Sequence, residues 1–247
     1  MLVLLRRITE HMKSQNWFAV ALDFVVVVVG IFMAFQIERW YGDQLRQDSL
    51  QARLLELSED FAENEAVLIR SIDARREGFA AAEFLLKADE MEADNLTPNA
   101  FYKALAETSQ TLTPRIRRGA YDILISTGEI EFIEDESLKT DLVGYYTDFG
   151  EFLVFNQSVW LLDRNTFEPY VARNLDHVAL LQFLHTDRYS QIARTHDADE
   201  FRDVLGTTEF EGMVAAKSHA TGDEISRLSR LLGRNSDIRA RLSRLFY

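Results

Sequence analysis

The chain has 247 residues, 47% hydrophobic and 27% charged, a balance close to that of folded proteins and unlike that of disordered ones. A net charge of −13 argues against a general nucleic-acid binder. Zero cysteines exclude disulfides and thiolate metal sites, and only 3 prolines and 11 glycines favour helices over many short strands.

Residues 1–16 form the first segment. Leu2, Leu4, Leu5, Ile8 and Met12 are interleaved with Arg6, Arg7, Glu10 and Lys13. This fits a short interfacial helix or a frayed tail.

Residues 17–35 hold a single charge, Asp23, in 19 positions. A helix of this length crosses a ~30 Å hydrocarbon core. The strictly uncharged run, residues 24–35, is too short alone, so the span depends on tolerating Asp23. Five consecutive valines, Val25 to Val29, help offset that charge. A core helix of a soluble protein would show a polar face, which this run lacks. A cleaved signal peptide would end in a small-x-small pattern, and the exit reads MAFQIERW instead. We therefore read residues 17–37 as a transmembrane helix. Trp17 at one end and Trp40 with Tyr41 at the other are its interface anchors.

Arg6, Arg7 and Lys13 before the span slightly outweigh Arg39 and Arg46 after it. The expected orientation therefore has the N-terminus in the cytoplasm. Residues 38–247 would lie outside it, in the periplasm of a bacterium with an inner membrane. Asp23 fits pairing with a neighbouring subunit or simple tolerance near the interface better than a proton or ion relay. Gly30 and Ala34, four apart, give a small-xxx-small face for close helix packing.

Downstream, Leu50, Leu54, Leu57, Phe61 and Leu68 keep helical spacing, interrupted by Asn64 and Ser71. They predict an amphipathic stalk helix continuous with the span. Residues 88–95 read as an acidic connector. Thr97–Pro98 and Thr113–Pro114 each read as an N-cap followed by proline at the first helical position, predicting helices over 98–109 and 114–126. Gly128 reads as a stop, followed by a short extended piece and a restart near Asp135.

The next helix is expected to reach about residue 173 with a kink or break at Pro169. Its apolar face comprises Leu138, Leu142, Tyr145, Tyr146, Phe149, Phe152, Leu153, Asn156 and Trp160. Shorter helices are expected at 176–184, 187–194 and 197–205. A long one over 209–232 and a final one from Ser236 complete the chain. The fold class is all-α: one N-terminal transmembrane helix, a stalk and an extracytoplasmic helical bundle.

No nucleophile elbow, phosphate loop or HExxH motif is present. His185 and His196, eleven apart, are too distant along one helix to share an ion. No catalytic, cofactor or metal residue is assigned and no cofactor is expected. Arg115, Arg117 and Arg118 stand at an expected helix start, where the dipole disfavours them. They fit charge pairing with the acidic runs 88–94 or 129–136, or contact with an anion or partner. Six arginines after residue 225 (227, 230, 234, 239, 241 and 244) make a basic tail suited to packing on the acidic body. The aromatics Tyr145, Tyr146, Phe149, Phe152, Phe155 and Trp160 fit a plain core or the lining of a pocket between helices.

Two segments resemble an uncharacterised bacterial family of single-pass membrane proteins. The first is Asp23, the valine run, Gly30 and the exit Gln36-Ile37-Glu38-Arg39-Trp40. The family more often has glutamate at the acidic position. The second is residues 120–146, with a serine-glycine turn, a Leu/Ile pair and the tyrosine pair Tyr145-Tyr146. The resemblance implies topology and a helical body. It implies no activity.

The expected function is a non-enzymatic accessory or scaffold subunit of a membrane assembly. Its partners would be the bilayer and either copies of itself or other membrane subunits. The alternative is a periplasmic ligand-sensing module. With about 16 residues before the span, such a sensor would need a separate transducer.

Overall fold

The computed structural model describes residues 17–91, 96–189 and 200–246. The expected interfacial helix before Trp17, the second half of the acidic connector and His196 lie outside these. Among the described residues every regular element is helical. The chain divides into two compact units, Met1–Arg53 and Leu54–Tyr247.

Helix α1 is Trp17–Leu86, 70 residues without a break. No proline interrupts it. In the first unit, every residue from 21 to 41 is exposed. In the second unit the same helix turns one stripe inward: Leu54, Leu57, Phe61, Leu68 and Ile72 are buried. Asn64 and Arg75 occupy the same stripe and are equally buried.

Helix α2, Pro98–Ser109, starts as the sequence predicts, with Thr97 Oγ1 accepting from the Ala100 amide at 3.2 Å. It packs against α1 at very short range. A Cβ added at Gly78 would meet the Glu107 carbonyl oxygen at 2.8 Å. Backbone cannot swing aside, so Gly78→Ala should cost about 1–3 kcal/mol, read as a lower urea midpoint with unchanged slope.

Helix α3 is Gly119–Thr127, not 114–126. Residues 110–118 are non-helical. Thr113 caps nothing: its hydroxyl donates to Asn156 Oδ1 at 2.7 Å. Tertiary partners have outbid the local helix signal. Gly128 ends α3 with φ of +74°, a left-handed position that favours glycine. A single 3₁₀ turn, Glu129–Phe132, replaces the expected extended piece.

Helix α4, Glu136–Leu162, begins on Asp135, whose carboxylate accepts from the Ser137 and Leu138 amides. A π turn, Asp163–Phe167, joins it to α5, Glu168–Asn174. The irregularity precedes Pro169, as expected where a proline removes a donor and its ring crowds the carbonyl four residues back. Most of the predicted α4 face is buried, but Leu153 and Trp160 are exposed.

Helix α6, His177–Leu184, is capped by Asp176. A single turn, α7, Thr186–Tyr189, and a 3₁₀ turn, Glu200–Val204, are what is described of the two short helices expected there. Helix α8, Thr208–Arg244, is continuous where a break before Ser236 was expected. Asn235 holds its place because it is buried and donates to the Tyr145 hydroxyl at 3.4 Å.

Two aromatic groups anchor the second unit. Phe101 stacks on Phe201 at 4.7 Å and lies 5.9 Å from Phe210. Phe61 packs on Tyr145 at 4.9 Å, and Tyr121 stacks on Tyr146 at 4.1 Å. Burial pushes the Tyr145 phenol up to about 12.

Candidate functional site

Helices α4 and α8 run antiparallel, and their facing side chains form a ladder of polar contacts. From one end, Lys217 meets Asp163 at 2.7 Å, and Glu224 Oε1 accepts from Asn156 Nδ2 at 2.7 Å. Further along, Arg227 lies over the Phe155 ring at 4.4 Å and Arg234 meets Asp148 at 2.9 Å. Asn235 then meets Tyr145, and Arg241 meets Asp141 at 3.3 Å. A Cβ at Gly144 would touch the Arg234 guanidinium at 2.9 Å, so glycine here leaves room for that rung.

The inner rungs are buried. Arg75 of α1 reaches across to Glu224, with Nε and Nη2 at 3.1 and 3.2 Å from the two carboxylate oxygens. It also donates to the carbonyls of Ser71 and Leu112. Asn156 Nδ2 shares the Leu112 carbonyl at 3.4 Å. Lys217 donates to Thr111 Oγ1 at 2.5 Å, and Thr111 donates to Asp163. Asp163 Oδ1 has no hydrogen-bond partner among the described residues.

Burial is strong enough here to outweigh pairing. It pulls the Lys217 ammonium below its ordinary range, with the Asp163 charge opposing. It pushes the Asp163 carboxyl above its ordinary range, with Lys217 opposing.

This network holds the extended segment 110–118. Its backbone groups bond to side chains of two helices, α1 and α4, instead of to a helix of its own. Asn64 clasps Arg117 from both sides, Nδ2 donating to its carbonyl at 2.8 Å and Oδ1 accepting from its amide at 2.6 Å. The Tyr146 hydroxyl donates to the same carbonyl at 3.3 Å. Asp60 accepts from the Ala120 amide at 3.3 Å, serving the start of α3 where Arg118 supplies no cap. Among the buried charged groups, Arg75 and Asp60 act directly on the chain's own backbone, while Lys217, Asp163 and Glu224 bond side chains.

One rung of the ladder is open. Arg230 and Glu151 face each other by register, yet neither forms an ion pair with a described residue. Both line a cavity of about 260 Å³ between α4 and α8, with Phe152 and Leu231 on its wall.

The residues singled out from sequence fall in two places. Asp23, Gly30 and Ala34 are all exposed along α1, and open space surrounds Gly30. Trp40 and Tyr41 are exposed beyond them, while Trp17 is the first described residue of the helix. Arg117 and Arg118 are engaged, but not with the acidic runs expected. Arg117 meets Glu63 at 2.6 Å, and Arg118 meets Asp122 at 2.8 Å and lies 5.8 Å from the Tyr146 ring. The Asp122 bond raises the already high Arg118 value and lowers that of Asp122. Arg115 is exposed and makes no ion pair with a described residue. The arginines stand before α3, so the expected dipole conflict is confined to its first residues.

The basic tail packs on the body, as its composition suggests. Arg234 and Arg241 bind acids of α4, and Arg239 binds Glu65 of α1. The buried Arg75, Lys217, Glu224 and Asp163 were missed. Their one sequence signal was position: each lies on the inward stripe of its helix.

Compared with protein families, curated proteins and solved structures, the chain gives no match.

Proposed function

We propose that this chain is a non-enzymatic, single-pass protein of a bacterial inner membrane. Residues 17–37 would cross the bilayer with the N-terminus in the cytoplasm, and residues 38–247 would form a periplasmic helical body. The chain would act as an accessory or scaffold subunit, associating with copies of itself or with other membrane subunits. Asp23, Gly30 and Ala34 would carry the helix contacts. The uncharacterised single-pass family that its span resembles would be its kin.

One observation carries the reading: the most apolar described stretch is covered by no described residue. One described helix is long and apolar enough to cross a membrane, and no part of its apolar window is buried. Val26 is 61% exposed and Phe24 68% exposed. A run of this size facing water would drive aggregation, whereas lipid accepts it. Backbone polarity raises no objection, because a helix satisfies its own amides.

Chemical crosslinking in native membranes and pull-down in mild detergent test the association. The full chain should form crosslinked oligomers or recover a membrane subunit. Gly30→Leu should weaken this by about tenfold, the scale of one close helix contact of 1–2 kcal/mol. Asp23→Asn should weaken it as well. A lone monomer unaffected by either change would sink the scaffold role and leave the span intact.

The second reading, a ligand-sensing module with a separate transducer, has the cavity between α4 and α8 as its supporting observation.

A further inference from the structure

We infer that the cavity between α4 and α8 binds a small zwitterion: an oxyanion, phosphate or carboxylate, joined to an ammonium group. The inference deepens the ligand-sensing reading and does not depend on the membrane reading, because the cavity lies wholly within the unit Leu54–Tyr247.

The ladder provides the argument. On either side of the cavity each facing pair is closed, Arg227 on Phe155 and Arg234 on Asp148. Between them, Arg230 and Glu151 line the same space without pairing to each other. The helices are held at this separation by the closed rungs and by the buried Asn156–Glu224 and Lys217–Asp163 contacts. The gap is therefore fixed by neighbours.

Charge and shape then select the occupant. Arg227 and Arg230 stand one turn apart on α8 and line the same cavity, so one anion there can be reached by both, and guanidinium suits the geometry of phosphate and carboxylate. Arg227 is already oriented by its stacking on Phe155. Arg234 is neutralised by Asp148 and only helps to frame the space. Glu151 is the complement: a simple anion would leave it facing like charge, whereas a ligand ammonium would satisfy it. Phe152 and Leu231 supply apolar wall for a short carbon linker between the two charges. A cavity of about 260 Å³ suits a ligand of that size.

Calorimetric titration of the full chain in a neutral detergent, with O-phosphoethanolamine as probe, tests this. Saturable binding is expected, with inorganic phosphate at least about tenfold weaker and ethanolamine weaker still, because each fills half the site. Arg230→Gln should weaken the probe by about tenfold or more. Glu151→Gln should remove the preference for the zwitterion over inorganic phosphate. Both side chains are exposed, so the fold should survive, and an unchanged far-UV circular dichroism spectrum checks it.

The ligand could be a free metabolite or a lipid headgroup. Nanodiscs rich in phosphatidylethanolamine should abolish binding of the free probe if the headgroup fills the site, and leave it intact if a soluble molecule does. Three results overturn the inference: no saturable binding at about 1 mM probe, equal binding by Arg230→Gln, or a double-mutant cycle without probe showing that Arg230 and Glu151 stabilise each other directly.

Discussion

Lys217→Ala alone should destabilise the Leu54–Tyr247 unit by about 3–5 kcal/mol, while Lys217→Met combined with Asp163→Leu should leave it as stable as the parent or up to about 4 kcal/mol more stable. The single change strands Asp163 at 6% exposure, with one carboxylate oxygen already unpartnered among the described residues. The double change removes both buried charges and fills the same space with apolar atoms. For a unit of this size the single variant should lose roughly 6–20 °C in Tm. Urea unfolding by far-UV circular dichroism checks the stability difference, and single variants within about 1 kcal/mol of the parent would contradict the account.

The pH dependence has a definite sign for each group. Asp163 holds its proton more tightly when folded than when unfolded. Its contribution is present at acid pH and is lost as pH rises from the unfolded value, about 4, through the higher folded value. Lys217 releases its proton more readily when folded. The unfolded chain then binds more protons, so stability from this group rises as pH climbs from the folded value towards 10.5. Lys217→Met with Asp163→Leu should flatten both slopes.

The contrast between Thr97–Pro98 and Thr113–Pro114 shows what sequence could and could not tell. The two dipeptides carry the same local signal. At Thr97 nothing competes, and the cap forms. At Thr113 the hydroxyl is drawn to Asn156, the preceding Leu112 carbonyl to Arg75 and Asn156, and the Arg117 backbone to Asn64. Those partners lie about 40 to 50 residues away in the chain, beyond any local pattern. The apolar stripe of α1 was legible because its period is short-range. That Asn64 shares the stripe was legible too, but as an interruption, and Arg75 was not noticed; folding makes both of them clasps of the extended segment.

The α8 register was harder for a related reason. The expected break between residue 232 and Ser236 contains Gly233 and Asn235, residue types that often end helices. Leu228, Leu231, Ile238 and Leu242 are buried on one face through that point, so packing against α4 carries the helix across it. The cavity at Arg230 could not be read at all. It depends on which rung of two antiparallel helices stays open, and register between helices is a tertiary property.

The full-length chain should remain in the membrane pellet after an alkaline carbonate wash, and Val26→Asp combined with Val28→Asp should move it to the soluble fraction or to degradation. Between residues 17 and 37 the chain has 13 residues of Leu, Ile, Phe or Val. At about −0.3 to −0.6 kcal/mol each they favour insertion by about 4–8 kcal/mol. Asp23 opposes this by about 2.5–3.5 kcal/mol at mid-bilayer, and by less near an interface, so the balance stays favourable. Two further aspartates at the centre add about 5–7 kcal/mol against insertion and remove two valines. The sum then changes sign. Asp23→Val serves as the opposite control: it should keep the chain in the pellet, and any loss it causes must then appear in subunit association. Recovery of the unaltered chain in the carbonate supernatant, free of detergent, would mean that something other than lipid covers Val25 to Val29, and the membrane reading would fall with it.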